Sequence, residues 1–166
     1  PYASIRFDIG PNGFHAQILS ANGSYYIDPF SVGDVNNYIS YYRKDLIKSR
    51  EMQCEVPDEP MRFAPSNTAA ACLGTQLRTY RLAVACTGEY AQAPGIAAGS
   101  DPNILHNAIV TSVNRVNGVY EQEVAVRLVL VANNNLVEFL NAGSDPFNGN
   151  NNAGLLINES QTVINA

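Results

Sequence analysis

The chain has 166 residues and a net charge of −5; 46% of the residues are hydrophobic and 15% are charged. This composition excludes disorder throughout the chain, and the acidic balance argues against nucleic acid or a membrane surface as a partner. No apolar run approaches the ~20 residues that a membrane-spanning helix needs.

Residues 1–46 have the pattern of an antiparallel β meander. Two Asn-Gly turns, at 11–13 and 21–23, separate segments of alternating apolar and polar residues at 4–9, 14–19 and 24–28. Residues 38–46 are predicted as a further, tyrosine-rich strand. A sheet this small is marginal alone, so we expect it to lean on a second domain or on a part of the protein that precedes it.

Residues 47–76 are predicted to be an exposed linker. Pro57, Pro60 and Pro65 occur there among several charged residues, a composition that favours an extended connection. The predicted division is therefore a β-rich region at 1–46, a linker at 47–76 and a second region at 77–166.

The second region begins with a predicted βαβ unit. Residues 77–86 and 123–131 are apolar enough to be buried strands, and residues 101–120 show helical periodicity. Asp101 is a suitable N-cap, Pro102 a suitable first helical residue, and Gly118 is expected to loosen or end the last turn. Strands joined by such a crossover are parallel, so the fold class is α/β (α+β overall).

Two further elements are predicted after this unit. Residues 136–140 could form an edge strand. Asn158 and Gln161 resemble a capping box at the start of a last helix.

The residues that could carry chemistry form no recognisable active site. His15 lies on the polar phase of a strand and is expected to be exposed, and His106 is expected to be a satisfied surface histidine. Glu89 and Glu138 could face a site, although nothing in the sequence pairs them. The chain contains no H-E-x-x-H, phosphate-loop or dinucleotide motif.

Asp145 and the three cysteines leave alternatives open. Asp145, in a loop rich in asparagine and glycine, could indicate calcium, but one carboxylate is too few for a tight site, and turn chemistry is the favoured explanation. Cys86 is predicted to be a small buried hydrophobe. Cys54 and Cys72 could pair with each other.

Two longer phrases carry a family resemblance. Residues 77–90, LRTYRLAVACTGEY, and residues 104–121, ILHNAIVTSVNRVNGVYE, resemble the start of the catalytic domain in bacterial reprolysin-like metzincins, which are secreted zinc endopeptidases similar to adamalysins. Residues 124–139 fit as the following strand. Residues 1–46 resemble the end of the prosegment of such enzymes, so the meander would be prosegment and the βαβ unit the start of a metzincin-like mixed sheet.

The resemblance implies a fragment of a secreted zinc metalloendopeptidase precursor. In this family three histidines of an extended H-E-x-x-H motif bind zinc, and the glutamate is the general base for a zinc-bound water. That motif is not in this chain, so no catalytic residue is assigned and the 166 residues alone are expected to be inactive. Both ends of the chain look cut. The expected partners are peptide or protein substrates of the parent enzyme.

The resemblance also makes Cys54 a candidate inhibitory zinc ligand. Related zymogens are often kept inactive by a cysteine thiolate at zinc's open position, shortly before the catalytic domain. Glu55 follows Cys54 where the familiar pattern has glycine. A Cys54–Cys72 disulfide and an idle thiol are the alternatives.

Two other readings of the whole chain compete with the precursor. The chain could be a non-catalytic secreted binding or adhesion domain on a metzincin-like scaffold, or residues 1–46 could be an autonomous β module. A sheet that lacks its remaining strands leaves an open edge and an uncovered apolar face, which predicts self-association of the 166 residues or pairing with the missing half of the domain.

Overall fold

A computed structural model describes residues 3–47 and 76–166. In the first range an antiparallel sheet has the strand order β1-β2-β3-β4, which confirms the predicted meander; its strands are β1 (Ser4–Gly10), β2 (Gly13–Leu19), β3 (Tyr25–Pro29) and β4 (Tyr38–Tyr42). The fourth strand is shorter than predicted, because a 3₁₀ helix at Arg43–Asp45 follows it. We call these four strands the N-terminal sheet.

The second range contains the predicted βαβ unit. Two short strands pair in parallel, and two helices lie between them in the chain; these elements are β5 (Arg78–Leu82), α1 (Gly88–Gln92), α2 (Pro102–Glu123) and β6 (Val126–Leu130). A last helix, α3, spans Ala153–Ile164. The chain is thus a mixed α/β structure, as predicted.

Helix α2 begins as predicted but ends later. The Asp101 side chain accepts a hydrogen bond from the Asn103 backbone N–H at 2.9 Å, and Pro102 is the first helical residue. The helix continues through Gly118, so the expectation that Gly118 loosens or ends it is wrong. A Cβ at this position would lie 2.4 Å from the Gln17 side-chain oxygen. Glycine here allows the sheet to approach the helix closely.

Three other predictions are corrected. The strand predicted at 77–86 ends at Leu82 and is largely exposed, because β6 is its only partner among the described strands. The edge strand predicted at 136–140 is replaced by a 3₁₀ helix at Asn134–Val137, with one bridge from Cys86 to Glu138. Helix α3 is capped by Asn152, whose side chain accepts from the Leu155 N–H at 3.0 Å, and the capping box at Asn158 is wrong.

Two faces of α2 contact different parts of the chain. One face packs on β6 and contributes Leu105 and Ile109 to the core, whose buried members are Cys86, Ala91, Ala98, Leu105 and Ile109. The other face packs against β1 and β2. The expectation that the small sheet leans on another element is therefore confirmed. The division into regions at 1–46 and 77–166 stays a prediction, and most of the predicted linker lies outside the described residues.

Candidate functional site

The contact between the N-terminal sheet and α2 is unusually polar. Strand alternation places one set of side chains on the face toward the helix, which we call the inner face; among its members are Arg6, Asp8, His15, Gln17, Tyr26, Asp28 and Tyr41. Helix α2 presents polar residues in return, at helical spacing: Asn107, Thr111, Asn114, Arg115 and Gln122. Charged and hydrogen-bonding groups therefore join the sheet to the helix.

Asp28 on β3 is the centre of this interface. Its carboxylate lies 2.6 Å from His15 Nδ1 and accepts a hydrogen bond from the Tyr41 hydroxyl at 2.5 Å. Arg115 of α2 forms an ion pair with the same carboxylate, and its guanidinium lies 5.1 Å from the centre of the Tyr26 ring. Three strands and the helix thus meet at one carboxylate.

These neighbours change the acidity of the buried groups. Burial raises the pKa of Asp28, but the hydrogen bonds from His15 and Tyr41 and the positive charge of Arg115 outweigh it, so the pKa lies below the ordinary value of 3.8. Burial and the hydrogen bond to Asp28 raise the pKa of Tyr41 to about 12. At neutral pH Asp28 is therefore a carboxylate and Tyr41 a neutral donor.

A second carboxylate, Asp8 on β1, fixes the helix from the neighbouring strand. It accepts hydrogen bonds from the Thr111 hydroxyl at 2.6 Å and from the Asn114 amide at 3.1 Å. His15 lies directly opposite Asp8 in the strand pairing. In this part of the interface, the carboxylates of Asp8 and Asp28 and the guanidinium of Arg115 share the contact with one imidazole.

The β1–β2 turn and the start of β1 extend the interface along the helix. Asn12 donates from its backbone N–H to Asn107 at 3.1 Å and from its side chain to the Ile104 carbonyl at 3.0 Å. Toward the other end of the helix, Arg6 forms an ion pair with Glu121. The sheet is therefore held over five turns of α2, about 25 Å.

We call His15, Asp28, Tyr41 and Arg115 the Asp28 cluster. A cleft of about 420 Å³ opens beside it. His15, Asp28 and Arg115 line it together with apolar groups such as Phe30 and Ile96. His15 Nε2 is buried and has no hydrogen-bond partner among the described residues. Ser112 also lines the cleft, but its hydroxyl donates to the Ala108 carbonyl. The arrangement is suited to holding two parts of the chain together.

A separate polar network lies on the far side of α2. His106 Nδ1 is 2.8 Å from Glu138 Oε1, and the Asn134 amide donates to the same oxygen at 2.6 Å. Asn134 is fully buried, accepts from the Val84 N–H at 2.7 Å and donates to the Val84 carbonyl at 3.0 Å. The Asn134 side chain thus forms hydrogen bonds with both backbone groups of Val84, just after β5, as the backbone of a neighbouring strand would.

The structure places both histidines and both glutamates that the sequence singled out. The expectation that His15 is exposed is wrong, since only 16% of its side chain is exposed. The expectation of a satisfied His106 is confirmed, and Glu138 is its partner. Glu89 is exposed in the first turn of α1, apart from this network.

Asp28 and Arg115 were not foreseen as site residues. The usable signal was the run of charges on one phase of the strands, matched by a polar stripe on the predicted helix. A polar phase ordinarily indicates a solvated face, and only the packing of the sheet on α2 buries it.

The described residues do not fit a zinc ion. Residues 3–47 and 76–166 contain no group of three or more His, Cys, Asp or Glu side chains that could hold a metal. Both oxygens of Asp145 accept backbone N–H groups, from Gly88 at 2.7 Å and Phe147 at 2.9 Å. This geometry confirms turn chemistry for Asp145 and gives calcium no support.

The cysteines are only partly described. Cys86 is buried and has a free thiol, as predicted, and burial raises the pKa of that thiol. Cys54 and Cys72 lie outside the described residues. The zinc-ligand role of Cys54 stays a prediction.

Comparison with protein families decides the affiliation. The sequence model for metallo-peptidase family M12B, reprolysin-like, matches residues 76–166, which are 91 of the 166 residues. The chain belongs to this reprolysin-like family. No curated protein and no solved structure matched it.

The matched range contains β5 to α3 of the reprolysin-like chain, and the N-terminal sheet lies before it. The Asp28 cluster therefore joins the matched part of the chain to the part that precedes it. No helix in the described part of this chain is long and apolar enough to cross a bilayer.

Proposed function

We propose that this chain is the N-terminal part of a secreted zinc metalloendopeptidase precursor. Its N-terminal sheet is the end of a prosegment that docks on α2 of the peptidase domain. The observation that carries the proposal is the family match over residues 76–166. Helix α2 lies in this matched range, and the Asp28 cluster holds the N-terminal sheet against it.

The polar character of the docking surface supports a precursor. Contacts within a permanent core are mostly apolar, whereas surfaces that separate again are rich in charged and polar groups. The sheet–helix contact uses the carboxylates of Asp8 and Asp28 and the guanidinium of Arg115. Such charged groups are well hydrated by water when the two surfaces separate. Secretion is supported by the resemblance to secreted bacterial enzymes.

Zinc enters the proposal through the family. The described residues do not hold it, so the metal ligands of the parent enzyme belong elsewhere in the protein. The role of this chain is then to supply the first strands and helix of the peptidase domain and the segment that precedes them. Peptide-bond hydrolysis belongs to the complete protein.

The test compares the 166-residue chain with the protein encoded by the complete reading frame. Both are purified, their zinc is quantified, and hydrolysis of fluorescent casein is followed with and without a zinc chelator. We expect chelator-sensitive hydrolysis from the complete protein and none from the 166 residues.

Two results would contradict the proposal. A complete protein that binds zinc but cleaves neither casein nor its own N-terminal region is not an endopeptidase precursor. A complete protein that lacks both zinc and the H-E-x-x-H motif would instead support the non-catalytic binding domain.

A further inference from the structure

The N-terminal sheet has an outward face that is largely apolar and carries no charged side chain. Strand pairing places three rows of four side chains on the side away from α2, and we call this the outer face: Ile5, Ile18, Tyr25 and Tyr42; Phe7, Ala16, Ile27 and Ser40; Ile9, Phe14, Pro29 and Tyr38. None of the twelve side chains is charged, and one is an aliphatic hydroxyl. The inner face carries all the charges of the sheet's strands.

This arrangement inverts the usual one. An antiparallel sheet with one solvated face ordinarily packs its apolar face inward and leaves the polar one in water. Here the polar face is buried on α2, and the most exposed outer-face side chains are Ile5 at 56%, Phe7 at 61%, Ile9 at 78%, Tyr38 at 40% and Tyr42 at 49%. Exposed apolar patches of this kind mark interaction sites.

We propose that the outer face is a self-association surface, where the sheet of a second copy of this chain packs face to face. The proposal does not depend on peptidase activity, since the outer face lies on the side of the sheet away from α2.

The absence of charge on the outer face favours a second copy as the occupant. Each copy carries a net charge of −5, which opposes association through charged surfaces. The twelve outer-face side chains bring no charge to the contact, and the charged inner face stays on its own helix. Lys44 lies at the edge of this face, with its Nζ 5.2 Å from the centre of the Tyr42 ring. A two-fold axis through the middle row lets the same twelve residues of each copy meet.

The polar atoms of the outer face impose a small cost. The Tyr38 hydroxyl already donates to the Val35 carbonyl at 2.9 Å. The Tyr42 and Tyr25 rings pack at an angle of 59°, with 5.9 Å between their centroids.

The area is sufficient for a dimer. With a full area of about 200 Å² for each large side chain, the five most exposed residues offer about 600 Å² per copy. Two copies would bury about 1,200 Å², the lower end of the range for specific interfaces. We therefore expect a reversible dimer with a dissociation constant in the micromolar range, on the order of 1–10 μM.

The experiment is sedimentation velocity of the 166-residue chain over a concentration series from about 1 to 100 μM, which brackets that dissociation constant. Phe7→Glu and Ile9→Lys each place an unpaired charge within the uncharged contact of the dimer. We expect either variant to weaken association about 100-fold or more. Ile157→Glu, at an equally exposed apolar residue of α3, is the matched control and leaves association unchanged. Near-ultraviolet circular dichroism verifies that all variants keep the fold.

Several outcomes would overturn the proposal. A wild-type chain that stays monomeric and binds an apolar fluorescent dye has an outer face open to a different partner. A monomer that does not bind the dye has covered the face with its own residues. Association that Ile157→Glu weakens as much as Phe7→Glu uses another surface.

Discussion

At the residue scale, partly buried charged residues are concentrated in the contact between the N-terminal sheet and α2. Asp28 receives three side-chain partners from β2, β4 and α2. A carboxylate with this many donors is stabilised in its charged form despite its burial. Each donor depends on the others, because removing one leaves the remaining groups desolvated and short of a partner.

The lowered pKa of Asp28 predicts a specific acid sensitivity. A carboxyl group with a depressed folded-state pKa contributes stability above its ordinary value of 3.8, and this contribution is lost as the pH falls through the folded-state pKa. We expect Asp28→Asn to lower the free energy of unfolding at pH 7 by about 2 kcal/mol. The difference in the free energy of unfolding between Asp28→Asn and wild type should shrink as the pH is lowered below 3.8.

The measurement is urea denaturation at a series of pH values between neutrality and the acid limit of solubility. Asp45→Asn, in the exposed 3₁₀ helix after β4, is the control and should follow wild type throughout. If the effect of Asp28→Asn were the same at every pH, its charge would not be the source of the stability.

Asn134 offers a second test at this scale, because an isosteric substitution can turn its hydrogen-bond donor, the side-chain amide NH₂, into an acceptor. Asn134→Asp replaces the amide that donates to Glu138 and to the Val84 carbonyl with an acceptor. Two carboxylates would then face each other in a fully buried position. We expect a loss of about 3 kcal/mol near neutral pH, measured by thermal unfolding. Asn133→Asp, at the exposed neighbouring position, should change stability little; equal losses would contradict the role of the buried network.

At the scale of elements, local chemistry predicted the start of α2 and the turns of the meander better than the burial of the strands. The Asp101–Pro102 start of α2 and the Asn-Gly turns of the meander depend on a few neighbouring residues, and these predictions are confirmed. Burial depends on the partner. Apolar residues at 77–86 predicted a buried strand, yet β5 covers only Arg78–Leu82, has one described neighbour and stays largely exposed.

The Asp28 cluster escaped prediction for the same reason. Its members come from β2, β3, β4 and α2. No spacing within one segment brings them together. Gly118 illustrates the difficulty, since in sequence it is typical of a helix end and in the structure it provides space for Gln17.

The start of α1 supplies a prediction about close packing between elements. A Cβ at Gly88 would lie 2.1 Å from the backbone N of Ala142, and backbone cannot move aside as a flexible side chain can. We expect Gly88→Ala to destabilise the fold by about 3 kcal/mol or more. Gly95→Ala, where the added methyl meets nothing within 4 Å, is the matched control. Thermal unfolding of the two variants side by side gives the comparison, and equal melting temperatures would contradict the packing described for α1.

At the scale of the whole molecule, the inner-face contacts couple the N-terminal sheet to the reprolysin-like part of the chain. Arg115→Met keeps most of the side-chain volume and removes the charge that pairs with Asp28. We expect amide hydrogen exchange to become faster, by about tenfold or more, both in β2 and in α2. Exchange in β5 and β6 should stay unchanged.

Arg43→Met, in the exposed 3₁₀ helix, is the control for the loss of one positive charge. If β2 exchanged no faster in Arg115→Met than in this control, the sheet would not depend on the ion pair for its place on α2. An autonomous β module, as one reading of the sequence suggested, would behave in that way.

The separation in sequence between the two sides of the inner-face contact has a consequence for how the molecule forms. Asp8 and Thr111 are 103 residues apart, and Asn12 and Asn107 are 95 apart. The hairpins of the meander and the turns of α2 need only nearby residues, whereas docking must close a loop of about 100 residues before any contact is gained. Folding of the separate pieces should therefore be fast and their assembly slow, so a newly synthesised chain would expose the charges of the inner face for longest.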